Sequence, residues 1–200
     1  VKVIADGRIL ITSNSGLYQL IGKEVVPLKV TGLPEQPLFA ITPVPDGSYL
    51  VGGSGIIYHI RDDRVIQKYT VAANSPSKDV FELLYDHDGN IWFSLLNGGI
   101  HMIKSGSDRV IDLAGRTGLR NTQINSIIQD REGNIWVSTY GKGVYCFNNL
   151  HITVYDETDG LSSNNVTSVI LSSRGTVVAG TSDGINFMVD GKFMRAPRNS

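Results

Sequence analysis

Asp130-Arg131-Glu132-Gly133-Asn134-Ile135-Trp136-Val137-Ser138-Thr139-Tyr140-Gly141-Lys142-Gly143-Val144-Tyr145 alternates turn chemistry with apolar runs of strand length. Asp86-His87-Asp88-Gly89-Asn90-Ile91-Trp92-Phe93-Ser94-Leu95-Leu96-Asn97-Gly98-Gly99-Ile100-His101 is a second copy, and weaker copies run from Asp6 to Tyr18, from Asp46 to Tyr58 and from Ser173 to Asn186. The turn glycines Gly7, Gly47, Gly89, Gly133 and Gly175 are separated by 40, 42, 44 and 42 residues. The second glycines Gly16, Gly55, Gly99, Gly143 and Gly184 keep step at 39, 44, 44 and 41. A period of this size predicts one repeat array rather than two unrelated domains.

Each repeat holds four short apolar runs. In the fourth these are Ile124 to Gln129, Ile135 to Ser138, Val144 to Phe147 and His151 to Tyr155, called a to d. No stretch sustains a 3.6-residue period, so the chain reads as all-β. The b runs, such as Ile9-Leu10-Ile11, Tyr49-Leu50-Val51 and Ile135-Trp136-Val137, are apolar throughout instead of alternating, and such a strand must be covered on both faces. Stacked four-stranded antiparallel sheets provide that cover, which makes the expected fold a β-propeller with five repeats present. The expected blades are residues 1–33, 34–77, 78–121, 122–163 and 164–200, with Trp92 and Trp136 wedged between neighbours.

Composition narrows the function classes. Eighteen Lys and Arg stand against 19 Asp and Glu, so no overall field favours nucleic acid or anionic lipid, and no nucleic acid is expected to bind. The single Cys146 excludes an intrachain disulfide and reads as a small buried thiol. No apolar run approaches the roughly 18 residues of a membrane helix. Chain entry at Val1, already inside an apolar run and with no signal peptide before it, suggests a piece of something longer.

Because neighbouring strands run antiparallel, the d-to-a and b-to-c connections leave from one end of each blade. These are expected to be the variable, longer loops, and loops on a rigid scaffold are where binding tends to sit. A sugar site needs a flat ring to stack on and nearby hydrogen-bonding groups. Tyr140 with Asn97, Lys142, Arg120, Asn121 and Asp183 could supply both, although the same residue types also serve as ordinary turn formers. Asp86-His87-Asp88-Gly89-Asn90 has a faint look of a calcium loop but lacks the remaining ligands, and it reads as a hairpin turn. His59, His87, His101 and His151 fall in different registers, so neither a metal centre nor a cofactor is expected. Asn165-Val166-Thr167 matches a glycosylation sequon but lies inside the repeat template, as a lead into a strand. No serine sits in a nucleophile elbow or has a matched His and Asp register, so no catalytic residue is assigned.

Gly160-Leu161-Ser162-Ser163-Asn164-Asn165-Val166-Thr167-Ser168-Val169, followed by Gly180 to Ile185, resembles the two-component regulator propeller repeat. So does Gly118-Leu119-Arg120-Asn121-Thr122-Gln123-Ile124-Asn125-Ser126-Ile127 with the Asp130 run after it. The resemblance is specific in the third to fifth copies. It is looser in the first two, where Leu10 and Leu50 replace Trp and the Gly-Leu entry is missing or reduced to Gly32-Leu33-Pro34. Repeats of this family build the periplasmic sensor region of hybrid two-component histidine kinase/response regulators, inner-membrane proteins of bacteria that degrade polysaccharides.

The resemblance implies a sensor of an oligosaccharide ligand. Its signal would pass to kinase and DNA-binding domains elsewhere in a parent chain that works as a homodimer. The partners implied are the remaining propeller repeats and the membrane-linked domains. Family rings usually close with seven blades, so five copies are expected to be part of a larger ring. The chain itself carries no Gly-rich nucleotide loop, phosphoacceptor helix or helix-turn-helix, and is not expected to be an enzyme. The alternatives are a stand-alone propeller lyase or hydrolase of the streptogramin-inactivating type, and a protein-docking propeller.

Overall fold

The computed structural model describes residues 1–71, 77–148 and 151–197, without the side chains of 151 and 152. Asn149, the His151 side chain and most of the Ala73 to Asp79 loop lie outside the described residues. Within them, twenty strands form five four-stranded sheets, each an antiparallel meander in sequence order.

The first sheet comprises Lys2–Val3 (β1), Ile9–Ser13 (β2), Gly16–Ile21 (β3) and Glu24–Pro27 (β4). The second has Leu38–Pro43 (β5), Tyr49–Gly53 (β6), Ile56–Arg61 (β7) and Arg64–Thr70 (β8), and the third Val80–Tyr85 (β9), Ile91–Leu95 (β10), Gly99–Ile103 (β11) and Val110–Asp112 (β12). The fourth has Ile124–Gln129 (β13), Ile135–Thr139 (β14), Val144–Asn148 (β15) and His151–Tyr155 (β16). Val166–Leu171 (β17), Val177–Thr181 (β18), Gly184–Val189 (β19) and Lys192–Arg195 (β20) make the fifth. Helical structure among the described residues is confined to one turn at Ala114–Thr117 (α1) and a 3-10 turn at Glu157–Asp159. None of it is long and apolar enough to cross a membrane.

The repeated Asp-x-x-Gly-Asn-Ile-Trp run closes each hairpin around a carboxylate that is only 4% exposed. Asp130 Oδ1 accepts the backbone N–H of Glu132 at 3.1 Å and of Asn134 at 2.8 Å. Its Oδ2 accepts Asn134 Nδ2 at 2.8 Å and the indole Nε1 of Trp136 at 2.7 Å. Asp86 repeats the set with Asp88, Asn90 and Trp92. Both oxygens of Asp86 are therefore occupied by hydrogen-bond donors, which accounts for the acidic cluster that resembled a calcium loop. Charge-assisted bonds of this kind are about twice as strong as neutral ones. They also hold the indole in one orientation for packing.

Val1–Leu119 and Arg120–Ser200 form two compact units. In the first, Leu10, Leu17, Leu38, Ile41, Tyr49 and Val51 fill the space between the first and second sheets. Leu50, Ile57, Val80, Leu83 and Phe93 do the same between the second and third. In the second unit, Trp136, Val144 and Cys146 of the fourth sheet pack on Val169, Val177, Ala179 and Phe193 of the fifth. Here the tryptophan does wedge between sheets: its ring stacks on Tyr155 at 5.5 Å and meets Phe193 edge-on at 6.4 Å. Burial pushes the Cys146 thiol up to about 12, as a structural thiol requires.

The second glycine of the repeat has its own cause. A Cβ on Gly143 would lie 2.1 Å from the Tyr155 carbonyl oxygen, at a φ of +72°. The chain leaving β16 passes over that point, and no other residue leaves room for it.

Replacing Asp130 with Ala strands the indole N–H and two backbone donors, and is expected to cost about 2 to 4 kcal/mol in urea unfolding. Trp136→Ala is expected to cost about 3 to 5 kcal/mol. The two losses should be strongly non-additive in a double-mutant cycle. Simple additivity would mean that the carboxylate and the indole act independently.

Candidate functional site

The sequence-named residues sit on turns. Tyr140, 61% exposed, lies on the β14–β15 turn with Lys142, and its N–H donates to the Gln123 carbonyl at 3.0 Å. That bond ties the turn to the segment carrying Arg120 and Asn121. Asp183 lies on the β18–β19 turn, where its N–H donates to Thr181 Oγ1 at 3.2 Å and its carbonyl accepts from the Arg195 guanidinium. These five residues share the second unit and, by topology, the same end of their sheets. What links Tyr140 to the Arg120–Asn121 segment is backbone bonding. Asn97 belongs to the first unit, on the β10–β11 turn. Asn97 at φ +54° and Asn121 at φ +56° occupy left-handed positions that favour asparagine for conformational reasons alone.

Loop length is distributed differently from the expectation. The β14–β15 and β18–β19 connections are tight turns, and the length lies in the connections between sheets. Residues 156–165 include a reciprocal cap, with Asp156 accepting from Thr158 N–H at 2.7 Å while its own N–H donates to Asp159 at 3.2 Å. This connection then braces the tight turns, since Gly143 N–H donates to the Asn164 carbonyl at 2.9 Å and Ser182 N–H to that of Asn165 at 3.0 Å.

The sequence reading missed a feature at the same end. In the second to fifth sheets the first strand slips register against the second, between Leu38 and Ala40, Val80 and Glu82, Ile124 and Ser126, and Val166 and Ser168. Each slip is a β-bulge, which re-aims the extra side chain. In the second unit those side chains are Asn125, whose Nδ2 donates to the Val166 carbonyl at 2.8 Å, and Thr167, whose hydroxyl donates to the Gly180 carbonyl at 3.0 Å. In the first unit they are Phe39 and Phe81. Their rings stack at 6.5 Å between centroids and 24° between planes, and Phe81 is 39% exposed. The available signal was Leu38-Phe39-Ala40-Ile41, an apolar run too continuous for a regular strand with one channel-side or solvent-side face.

Glu82 follows the bulge in the third sheet. Burial pushes its carboxyl up to about 7, against the pull of Lys2. Directly across the ladder stands Ser94, wholly buried, its Oγ without a hydrogen-bond partner.

One serine does meet a histidine and an aspartate, contrary to the sequence reading. Ser48 Oγ lies 2.5 Å from Asp46 Oδ1 and 2.6 Å from His59 Nε2. The contact arises across the β6–β7 hairpin, which brings together residues the sequence separates. Here the serine is the bridge, whereas nucleophile activation needs the histidine between serine and carboxylate. With its proton directed to Asp46, the wholly buried Ser48 hydroxyl accepts from His59, and burial lowers the pKa of that ring.

Residues 118–141 match the family model of the two component regulator propeller. That match falls within one of the five repeats. No curated protein sequence matches it. Among solved structures it is similar to the extracellular domain of a B. thetaiotaomicron protein described as a hybrid two component system, with 18% identity and a TM-score of 0.74 over 98% of this chain. A second such domain from that organism has 17% identity and a TM-score of 0.70 over 90% of this chain. The chain spans only 28% and 25% of these two structures. Virginiamycin B lyase from Staphylococcus aureus is also similar, at 15% identity and a TM-score of 0.75, covering 98% of this chain and 68% of the lyase. Together with the WD40 β-propeller domain of Doa1, at a TM-score of 0.64, these likenesses make the five sheets blades of a β-propeller.

The Glu82 carboxyl gives a measurable pH dependence. Its folded pKa of about 7 lies above the ordinary glutamate value of 4.5, so the folded protein binds this proton more tightly than the unfolded chain. The contribution is full below about pH 4.5 and is lost as pH rises through 7, on the order of 3 kcal/mol in all. Glu82→Gln should flatten this part of the stability profile and leave the variant more stable than the parent at pH 8. An unchanged slope between pH 5 and 7 would place the titration elsewhere.

Proposed function

We propose that this chain is part of an extracytoplasmic sensor propeller of a hybrid two-component histidine kinase, recognising an oligosaccharide and performing no chemistry itself. The match of residues 118–141 to the two component regulator propeller carries the reading. The fold likeness to extracellular domains of hybrid two component systems supports it. In this reading the chain lies in the periplasmic region of an inner-membrane protein whose kinase and response-regulator parts are elsewhere, and the parent is a homodimer. Ligand binding would shift a population between two dimer geometries, which requires different affinities for the two. Tyr140 would offer the stacking ring, and Lys142, Arg120, Asn121, Asp183 and Asn97 the polar contacts.

The remaining propeller repeats are the partner we assign to the outer face of the fifth sheet. In the fourth sheet, Ile128, Trp136 and Cys146 form a cross-strand row that the fifth sheet covers. The same register in the fifth gives Ile170, Val178, Phe187 and Met194. Ile170, Phe187 and Met194 are 56%, 38% and 58% exposed. A further blade presenting small apolar residues, as Val169, Val177 and Ala179 do, would cover this row.

The second reading is a propeller lyase, favoured by the likeness to virginiamycin B lyase. The Ser48 arrangement gives it no activated nucleophile.

In calorimetric titrations with neutral oligosaccharides, Tyr140→Ala is expected to weaken binding by on the order of 1 kcal/mol or more while melting stays nearly unchanged. Equal affinity would remove Tyr140 from the site, and cleavage of the added glycan or of quinupristin would favour the lyase. Phe187→Asp should barely affect the stability of this chain alone but destabilise a protein containing the flanking repeats by roughly 2 kcal/mol or more. Equal effects in both would mean that no blade covers the row.

A further inference from the structure

In the first sheet the residue after the turn glycine Gly7 is Arg8. Its guanidinium reaches the second sheet, where it lies 3.0 Å from both carboxylate oxygens of Asp63 on the β7–β8 turn. Tyr49 donates to the same carboxylate at 3.2 Å. In the second sheet the residue after the turn glycine Gly47 is Ser48, which turns back to Asp46 and His59 of its own sheet. Ser48 is too short to repeat the reach of Arg8, and a cavity of about 120 Å³ lies between the second and third sheets.

Polar groups line this cavity from both sides. His59, Gln67 and Tyr69 come from the second sheet, and Tyr85, Lys104 and Ser105 from the third. Gly89 keeps one wall open, since a Cβ there would lie 2.8 Å from Ser105 Oγ and 3.1 Å from the Tyr85 hydroxyl. Because His59 Nε2 donates to Ser48, its Nδ1 presents a lone pair. Among the described residues, that nitrogen, both phenol hydroxyls and Ser105 Oγ have no hydrogen-bond partner. Gln67 Nε2 binds Asp108 at 3.1 Å, and neither Asp108 nor Lys104 makes an ion pair among the described residues.

We infer that this cavity binds a guanidinium group from outside the chain, as the counterpart of the place that Arg8 fills between the first and second sheets. Lys104 and Asp108 are exposed and of opposite charge, so the half-buried groups set the preferred sign. The bare imidazole nitrogen accepts and cannot donate, so an anion gains nothing from it. Phenol faces are electronegative and suit a flat cation, whose N–H groups the hydroxyl oxygens accept. Asp108 and Tyr85 both act on the Tyr69 phenol as nearby negative groups do. The volume admits a head group and little more, so the rest of the ligand lies outside, whether a peptide arginine or a small guanidino compound. The assignment stands independently of the oligosaccharide reading.

The test titrates the intact protein with methylguanidinium, with N-acetyl-arginine methylamide and with sodium phosphate at constant ionic strength. NMR follows the rings of His59, Tyr69 and Tyr85, with Tyr18 and Tyr140 as controls. Methylguanidinium is expected to shift the three rings saturably and leave the controls unmoved. Asp108→Asn should weaken it about twofold or more, and Lys104→Ala should tighten it. Tyr69→Phe and Tyr85→Phe, which keep the rings and remove an acceptor, should each weaken it with melting unchanged. Binding of N-acetyl-arginine methylamide as well assigns a peptide side chain, and its exclusion a free guanidino compound; both support the site. Saturable phosphate binding that tightens in the Asp108→Asn variant would make this an anion site. That result, equal shifts of the control rings, or no shift at all would overturn the proposal.

Discussion

The bond between a buried aspartate and a tryptophan indole fixes the geometry on which the other features rest. Asp130 and Asp86 each gather two backbone N–H groups, an asparagine amide and an indole N–H on one carboxylate. The turn, the start of the second strand and the orientation of the core aromatic are thereby set by a single group. Removing any donor leaves a buried charge under-compensated, which is more costly than the bond itself is stabilising. Blades without the pair use other means. Asp6 binds Arg8, Asp46 binds Ser48 and Arg61, and in the fifth sheet Ser172 accepts from Thr176.

This arrangement divides labour between the two ends of each sheet. At the aspartate end, hairpins are tight and their polar groups are saturated by one another. At the opposite end, bulges, sheet-to-sheet connections and tight turns coincide. Side chains there differ from blade to blade, while the backbone bonds that brace them recur. Phe39 and Phe81 occupy positions that Asn125 and Thr167 fill with structural hydrogen bonds. Variation on a constant scaffold is what recognition requires, and it arises here without altering the ladder that holds each blade.

The fold was legible because its determinants are local and repeated. The spacing of Gly133 from Trp136 and Gly143 encodes turn, core strand and close approach within eleven residues, and it recurs in Gly89, Trp92 and Gly99. The candidate site was less legible, because its determinants are pairings. A bulge at Phe81 exists only relative to the strand opposite, and the Ser48–His59 contact only across a hairpin. The unpartnered Ser94 hydroxyl depends on burial that no single repeat supplies. Asn97 and Asn121 show the converse: residue types that suggest ligand contacts are also those a left-handed turn selects.

Hydrogen–deuterium exchange with and without a bound oligosaccharide tests this division of labour most directly. The account predicts added protection at residues 120–124 and 139–143, and none at the Asp86 and Asp130 turns, which are already saturated. Protection concentrated on those hairpin turns, or spread evenly over both ends of the sheets, would contradict it.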